Sequence, residues 1–143
     1  MEVKTMSEIN TEYLQRCIET TKKSYNFLKD TKEGTIDYEV YRNSLVKGFE
    51  MTLEQCGKLL KKKITPYLSS KKAADMLTFK DIFRNAHKYS LITEEETQRW
   101  MKYRDNRNNT AHDYGQKFAE KTLSLIQDFL KDAEDLKKVI DND

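Results

Sequence analysis

The chain has 143 residues, of which 26 are basic and 24 acidic, for a formal net charge of +2. That length suits one domain over residues 1–143, with a core that needs no disulfide support. The charge balance excludes nucleic-acid binding by bulk attraction, so any such activity must come from a local patch. Charged residues make up 35% of the chain and mean hydropathy is −0.88, which confines the apolar positions to narrow faces. One proline and four glycines leave few obligatory breaks and favour long helices over a many-turned β architecture.

The first predicted element is an amphipathic helix from about Ser7 to Asp30, with Ile9, Tyr13, Cys17, Ile18, Tyr25 and Leu28 on its apolar face. Gly34 follows in a break and is available for a left-handed conformation. A longer helix spans about Asp37 to Ile64, striped by Tyr38, Tyr41, Leu45, Phe49, Leu53, Cys56, Leu60 and Ile64. Thr65-Pro66 should end it, because the residue before proline is driven from the helical region. Lys61-Lys62-Lys63 in its last turn suits the negative end of the helix dipole and reads as a solvated terminus.

Tyr67 to Leu77 reads as irregular connection. Thr78 then caps a short helix to Tyr89 that turns Phe79, Ile82, Phe83 and Ala86 inward. Thr93 and Glu96 have capping-box spacing, so a further helix starts there, carries Trp100 and ends near Asn108-Asn109. The last helix runs from about Gly115 to Ile140, with Phe118, Leu123, Ile126, Phe129, Leu130, Ala133 and Leu136 as its stripe. The fold class expected is all-α: an antiparallel four-helix bundle with one extra short helix.

Cys17 and Cys56 fall inside amphipathic patterns and read as reduced core residues. Neither belongs to a CxxC or Cys/His set, so neither a metal nor a cofactor is expected. No apolar run resembles a signal peptide or reaches membrane-spanning length, which predicts a cytoplasmic protein with no membrane partner.

The chemically richest stretch is Arg107-Asn108-Asn109-Thr110-Ala111-His112-Asp113-Tyr114. Arginine can hold a phosphate and offset charge developing on it, while histidine moves a proton near neutral pH. On one continuous helix Arg107 and His112 would lie about 140° apart, so a break in the Asn-Asn-Thr run is needed to turn both into one cleft. Taken bare, the pair is commonplace and reads equally as a surface or interface contact. Arg104, one turn earlier, offers a phosphate contact or a pair with Asp105 or a neighbouring acid. His87 reads as structural or exposed. Glu50 and Glu54 read as interhelical hydrogen-bond or ion-pair partners.

Arg107, His112 and Tyr114 together resemble the Arg-x4-His-x-Tyr signature of HepT-type proteins of the HEPN superfamily. Val46-x-x-Phe49-Glu50-x-Thr52-x-Glu54 with Lys58 resembles the nucleotidyltransferase substrate-binding proteins. So does Phe79-x-x-Ile82-Phe83-Arg84-x-Ala86, followed by Leu91-Ile92 and Trp100. The resemblance runs from about Arg42 to Phe129. It departs at Gly57, where the family usually carries a large aromatic residue, and this bears on local packing.

The resemblance implies a HEPN-like bundle forming a homodimer, with a minimal nucleotidyltransferase antitoxin as partner and RNA as substrate. In such pairs the helical protein is a metal-independent endoribonuclease toxin, silenced by AMP transfer to the motif tyrosine, here Tyr114. Arg107 and His112 would be catalytic, with Asn108 in support and Arg104 contacting RNA. The alternative is a non-catalytic subunit that binds substrate for the transferase.

Overall fold

The structure, a computed structural model, describes residues 9–109 and 116–142, and of residues 109 and 116–118 the backbone alone. Six helices follow in order: α1 (Glu12–Lys29), α2 (Ile36–Ile64), α3 (Lys71–Asp75), α4 (Phe79–Lys88), α5 (Glu94–Asn109) and α6 (Gln116–Asp141). The long helix α2 packs against α1, α4, α5 and α6 and is the spine of the bundle.

Pairings between distant residues give the directions. Ser24 meets Ser44 and Thr21 meets Thr52, so α1 and α2 run antiparallel. Thr11 at the start of α1 donates to Asp141 at the end of α6, which makes that pair antiparallel too. Phe49 lies against Phe129, and Lys63 donates to the carbonyls of Ile140 and Asn142, so α2 and α6 run in the same direction. Lys63 is therefore not merely solvated: it satisfies carbonyls at the end of α6 that have no partner within the helix.

The α1–α2 seam is built from small and hydroxyl-bearing side chains. Thr21 donates to the Cys17 carbonyl at 2.7 Å and shares a 3.2 Å hydrogen bond with Thr52. A Cβ on Gly48 would stand 3.3 Å from the Thr21 Cα and closer still to its hydroxyl, so the seam can be this tight only without a side chain at 48. Cys17 and Cys56 are free and buried, and burial pushes both thiols up.

Several expectations need correction. Among the described residues the first helix begins at Glu12, with Thr11 at its N-cap; the expected start at Ser7 lies outside them. On its apolar face Leu14 is fully buried, whereas Tyr13 is 50% exposed; a helix one face wide has room for only one of two adjacent residues. The stretch Tyr67–Leu77 contains α3, a single turn whose Ser70 side chain accepts the Ala73 N–H. The expected all-α bundle of four long helices with the short helix α4 is thus the one formed, and among the described residues α3 is added to it. Thr65 keeps helical dihedrals (φ −50°, ψ −42°) before Pro66, and the chain leaves α2 through a 3-10 turn, Thr65–Tyr67. Proline at the second position of that turn has no N–H to lose, so it tightens the exit instead of breaking it one residue earlier.

The expected capping box at Thr93 forms, and the Thr78 cap is part of a second one. Thr78 and Asp81 bond reciprocally at the start of α4. Thr93 N donates to Glu96 Oε1 at 2.8 Å, and Glu96 N to Thr93 Oγ1 at 3.0 Å. Gly34 takes φ 85° in the α1–α2 turn, as its position required. Among the described residues, no helix is long and apolar enough to cross a membrane.

Candidate functional site

Helix α5 delivers Arg107 and Asn108, and three sets of contacts determine where its last turn lies. The first is aromatic. Trp100, 1% exposed, stacks on Phe83 at 4.7 Å and meets Tyr103 and Phe129 edge-on at 5.3 and 5.9 Å. The second is a buried polar network to α6. Arg99 donates to both carboxylate oxygens of Asp132, from Nε at 2.8 Å and Nη2 at 2.9 Å, and Tyr103 donates its hydroxyl at 2.6 Å. Asp132 is buried inside an otherwise apolar stripe, so the fork of Arg99 and the phenol stand in for lost water. Burial first, and then the hydrogen bond to this carboxylate, push the Tyr103 phenol well above its ordinary value.

The third contact lies closest to the motif. Asn106, 3% exposed, donates from Nδ2 to Thr122 Oγ1 of α6 at 3.0 Å. This buried bond ties the last turn of α5 to the early turns of α6.

Arg107 leaves this last turn toward α2. Its Nε lies 3.8 Å from Glu50 Oε2, with the arginine side chain 34% exposed and the glutamate 14%. Asn108 is exposed beside it. Glu50 thus forms the interhelical ion pair that its position suggested, while Glu54 is exposed. His112 and Tyr114 lie outside the described residues.

Arg104 takes a different course from Arg107. Its guanidinium sits over the Phe79 ring, 5.0 Å from the centroid, and Asp105 pairs with Lys80 of α4 at 2.6 Å. The expected alternative pair of Arg104 with Asp105 is thus not what forms. His87 lies at the far end of α5, its Nδ1 3.2 Å from the Ile92 carbonyl and its Nε2 3.1 Å from Glu94. It braces the α4–α5 turn, where Ser90 takes φ 65°. That is a structural role.

Two other places bear on ligands. Glu96, Asp132 and Asp135 present oxygens within 4.8 Å of one another, but Asp132 already receives Arg99 and Tyr103. A cleft of about 590 Å³ lies between the α1–α2 turn and α6, lined in part by Glu33, Tyr38, Glu39, Arg42 and Glu120. Among the described residues that line it, carboxylates outnumber the one cation, Arg42, which suits a polyanion poorly.

Residues 8–142 match the model of the family described as nucleotidyltransferase substrate binding protein like. The chain belongs to that family. Among its relatives is a Haemophilus influenzae protein named probable ribonuclease HepT, 32% identical over 95 residues. That alignment spans 64% of this chain and 64% of the relative.

Two solved structures share the fold of this nucleotidyltransferase substrate-binding-like chain. One, from Haemophilus influenzae, is described as revealing the fold of a substrate binding domain of a nucleotidyltransferase. It superposes with a TM-score of 0.78 at 24% identity, covering 93% of this chain and all (100%) of that one. The other, from Thermus thermophilus, gives a TM-score of 0.70 at 23% identity over 90% of this chain and 99% of that one. Both likenesses are of fold.

The buried Arg99–Tyr103–Asp132 network escaped the sequence reading. Its one signal was an aspartate between Phe129, Leu130, Ala133 and Leu136, on a face where a carboxylate needs a partner.

Proposed function

We propose that this protein is a HEPN-type endoribonuclease toxin of a toxin–antitoxin pair. It acts in the cytoplasm as a homodimer and is silenced by AMP transfer to Tyr114 from a cognate minimal nucleotidyltransferase. The observation that carries the reading is the placement of Arg107. It is a half-exposed cation in the last turn of α5, which the Asn106–Thr122 bond ties to the early turns of α6. Family membership and the relative named probable ribonuclease HepT support it.

The chemistry uses the substrate's own nucleophile. The 2′-hydroxyl oxygen attacks the adjacent phosphorus while the bond to the 5′-oxygen breaks, leaving a 2′,3′-cyclic phosphate and a 5′-hydroxyl. His112 accepts the 2′ proton, and the second copy's His112 as imidazolium supplies one to the departing oxygen. Arg107 offsets charge on the phosphoryl oxygens, and Asn108 orients His112 or bonds the phosphate. AMP on Tyr114 would place negative charge and bulk where RNA must lie, which accounts for silencing.

The test is cleavage of total RNA by purified protein in EDTA, with mass spectrometry showing Tyr114 unmodified. Cleavage by the wild type and none by His112→Ala is the expected result. The second reading is a non-catalytic subunit that presents substrate to the transferase, favoured by the family description. Tight binding to the transferase without RNA turnover would establish it.

A further inference from the structure

We infer that Glu50 is a positioning residue for Arg107: a mostly buried carboxylate kept on α2 to aim the guanidinium rather than to strengthen the fold. The inference rests on the ribonuclease reading and adds the device that orients its phosphate-binding cation.

Two arginine–carboxylate pairs on one helix make the case by contrast. Arg99 commits two donors to Asp132 at 2.8 and 2.9 Å, a closed fork with its carboxylate 2% exposed. That geometry is suited to holding α5 on α6. Arg107, two turns further on, faces Glu50 through Nε at 3.8 Å, beyond hydrogen-bond length. The contact is a Coulombic brace on one edge of the guanidinium. Phosphate recognition uses paired donors of the planar fork, and a negative charge beside Nε biases the direction that fork faces.

The state of Glu50 points the same way. It follows Phe49, which is fully buried, and precedes Thr52, also fully buried, so its stem emerges at the edge of the core. Its Oε2 is shielded from solvent and takes no hydrogen bond from the described residues. A shielded, unbonded carboxylate oxygen weakens a fold. A side chain chosen for packing here would be apolar or fully bonded. Charge, kept where it works against stability, indicates a demand from the site.

The test compares Glu50→Gln, Glu50→Asp, Arg107→Ala and the double variant Glu50→Gln/Arg107→Ala in RNA cleavage and thermal melting. Glu50→Gln keeps the shape and removes the charge. It should melt no lower than the wild type, keep or lower KM because a negative charge near RNA is gone, and lose about tenfold to a hundredfold in kcat. Glu50→Asp, charged but one methylene short, should lose kcat as well. In the Arg107→Ala background the Glu50→Gln effect should vanish, since the two act as a unit.

A kcat for Glu50→Gln within twofold of the wild type would overturn the inference and leave the ribonuclease reading standing. So would a kcat loss of equal size in the Arg107→Ala background, or a loss explained by a lowered melting temperature. Absence of cleavage by unmodified wild type overturns the ribonuclease reading and this role together. The Arg107 Nε–H resonance, read in the wild type and in Glu50→Gln, is independent of activity; no change between them also counts against the pairing.

Discussion

The Phe79 ring fills the space that a side chain at position 57 would take. A Cβ on Gly57 would stand 2.7 Å from Phe79 Cε2 and 2.8 Å from Cδ2, closer than carbon atoms pack. The aromatic bulk beside α2 at this point comes from α4, and Arg104 lies over the same ring. Gly57→Ala should therefore lower stability by about 1–3 kcal/mol through overpacking, less the roughly 1 kcal/mol that alanine gains over glycine inside a helix. Gly57→Phe should fail to fold unless Phe79 is cut back to alanine. Urea unfolding of the two singles and the double variant checks this, and a Gly57→Ala protein more stable than wild type would contradict it.

Asp132 offers a second test, at the α5–α6 contact. Asp132→Ala leaves the fully buried Tyr103 hydroxyl and one edge of Arg99 unpaired, whereas Tyr103→Phe leaves the Arg99 fork intact. The first should cost about 3 kcal/mol, softened because Arg99 can reach water, and the second about 1 kcal/mol. Equal losses in chemical denaturation would show that the phenol, not the fork, carries the network.

Acid stability should report the α4 capping box. The carboxyl of Asp81 is held below its ordinary value of 3.8 by hydrogen bonding from the Thr78 side chain, then from the Thr78 backbone N–H, with Arg84 adding attraction. Because the folded-state value is depressed, its stabilisation is complete above the ordinary carboxylate range and is lost as pH falls through the folded value. Asp75, lowered by its hydrogen bond and charge pairing with Lys61, acts in the same sense. Melting temperatures taken from pH 7 down to pH 3 should fall more steeply for the wild type than for Asp81→Asn. Parallel curves would remove Asp81 as a contributor.

The two arginines of the last turns of α5 should separate in function. Arg107→Ala, removing a cation aimed at the reacting phosphate, should cut RNA cleavage by about 10²-fold or more. Arg104→Ala should mainly lose its contact with Phe79, about 0.5–1 kcal/mol of stability, with cleavage changed only a few-fold. Cleavage assays paired with melting curves distinguish the two. If Arg104→Ala proved the more damaging to cleavage, Arg104 would be the phosphate contact.

What the sequence determined by itself is local. The helices, their apolar faces, the Thr78 cap and the Thr93–Glu96 box were legible because each depends on residues three or four apart. So was the turn at Gly34. The one-turn helix α3 went unseen because five residues carry too little periodicity to stand out from a loop. Choosing Leu14 over Tyr13 for the core required the rotation of α1 against α2 and α6, which no single helix contains.

Only the tertiary structure decided which side chains meet. Arg99 and Asp132 stand 33 residues apart in the chain. Glu50 and Arg107 come from different helices, as do Gly57 and Phe79. Helical spacing tells which residues share a face, but the partner of that face is set by how helices pack. That is why the sequence could single out Arg107 as a candidate cation, while the carboxylate that faces it could only be read from the fold.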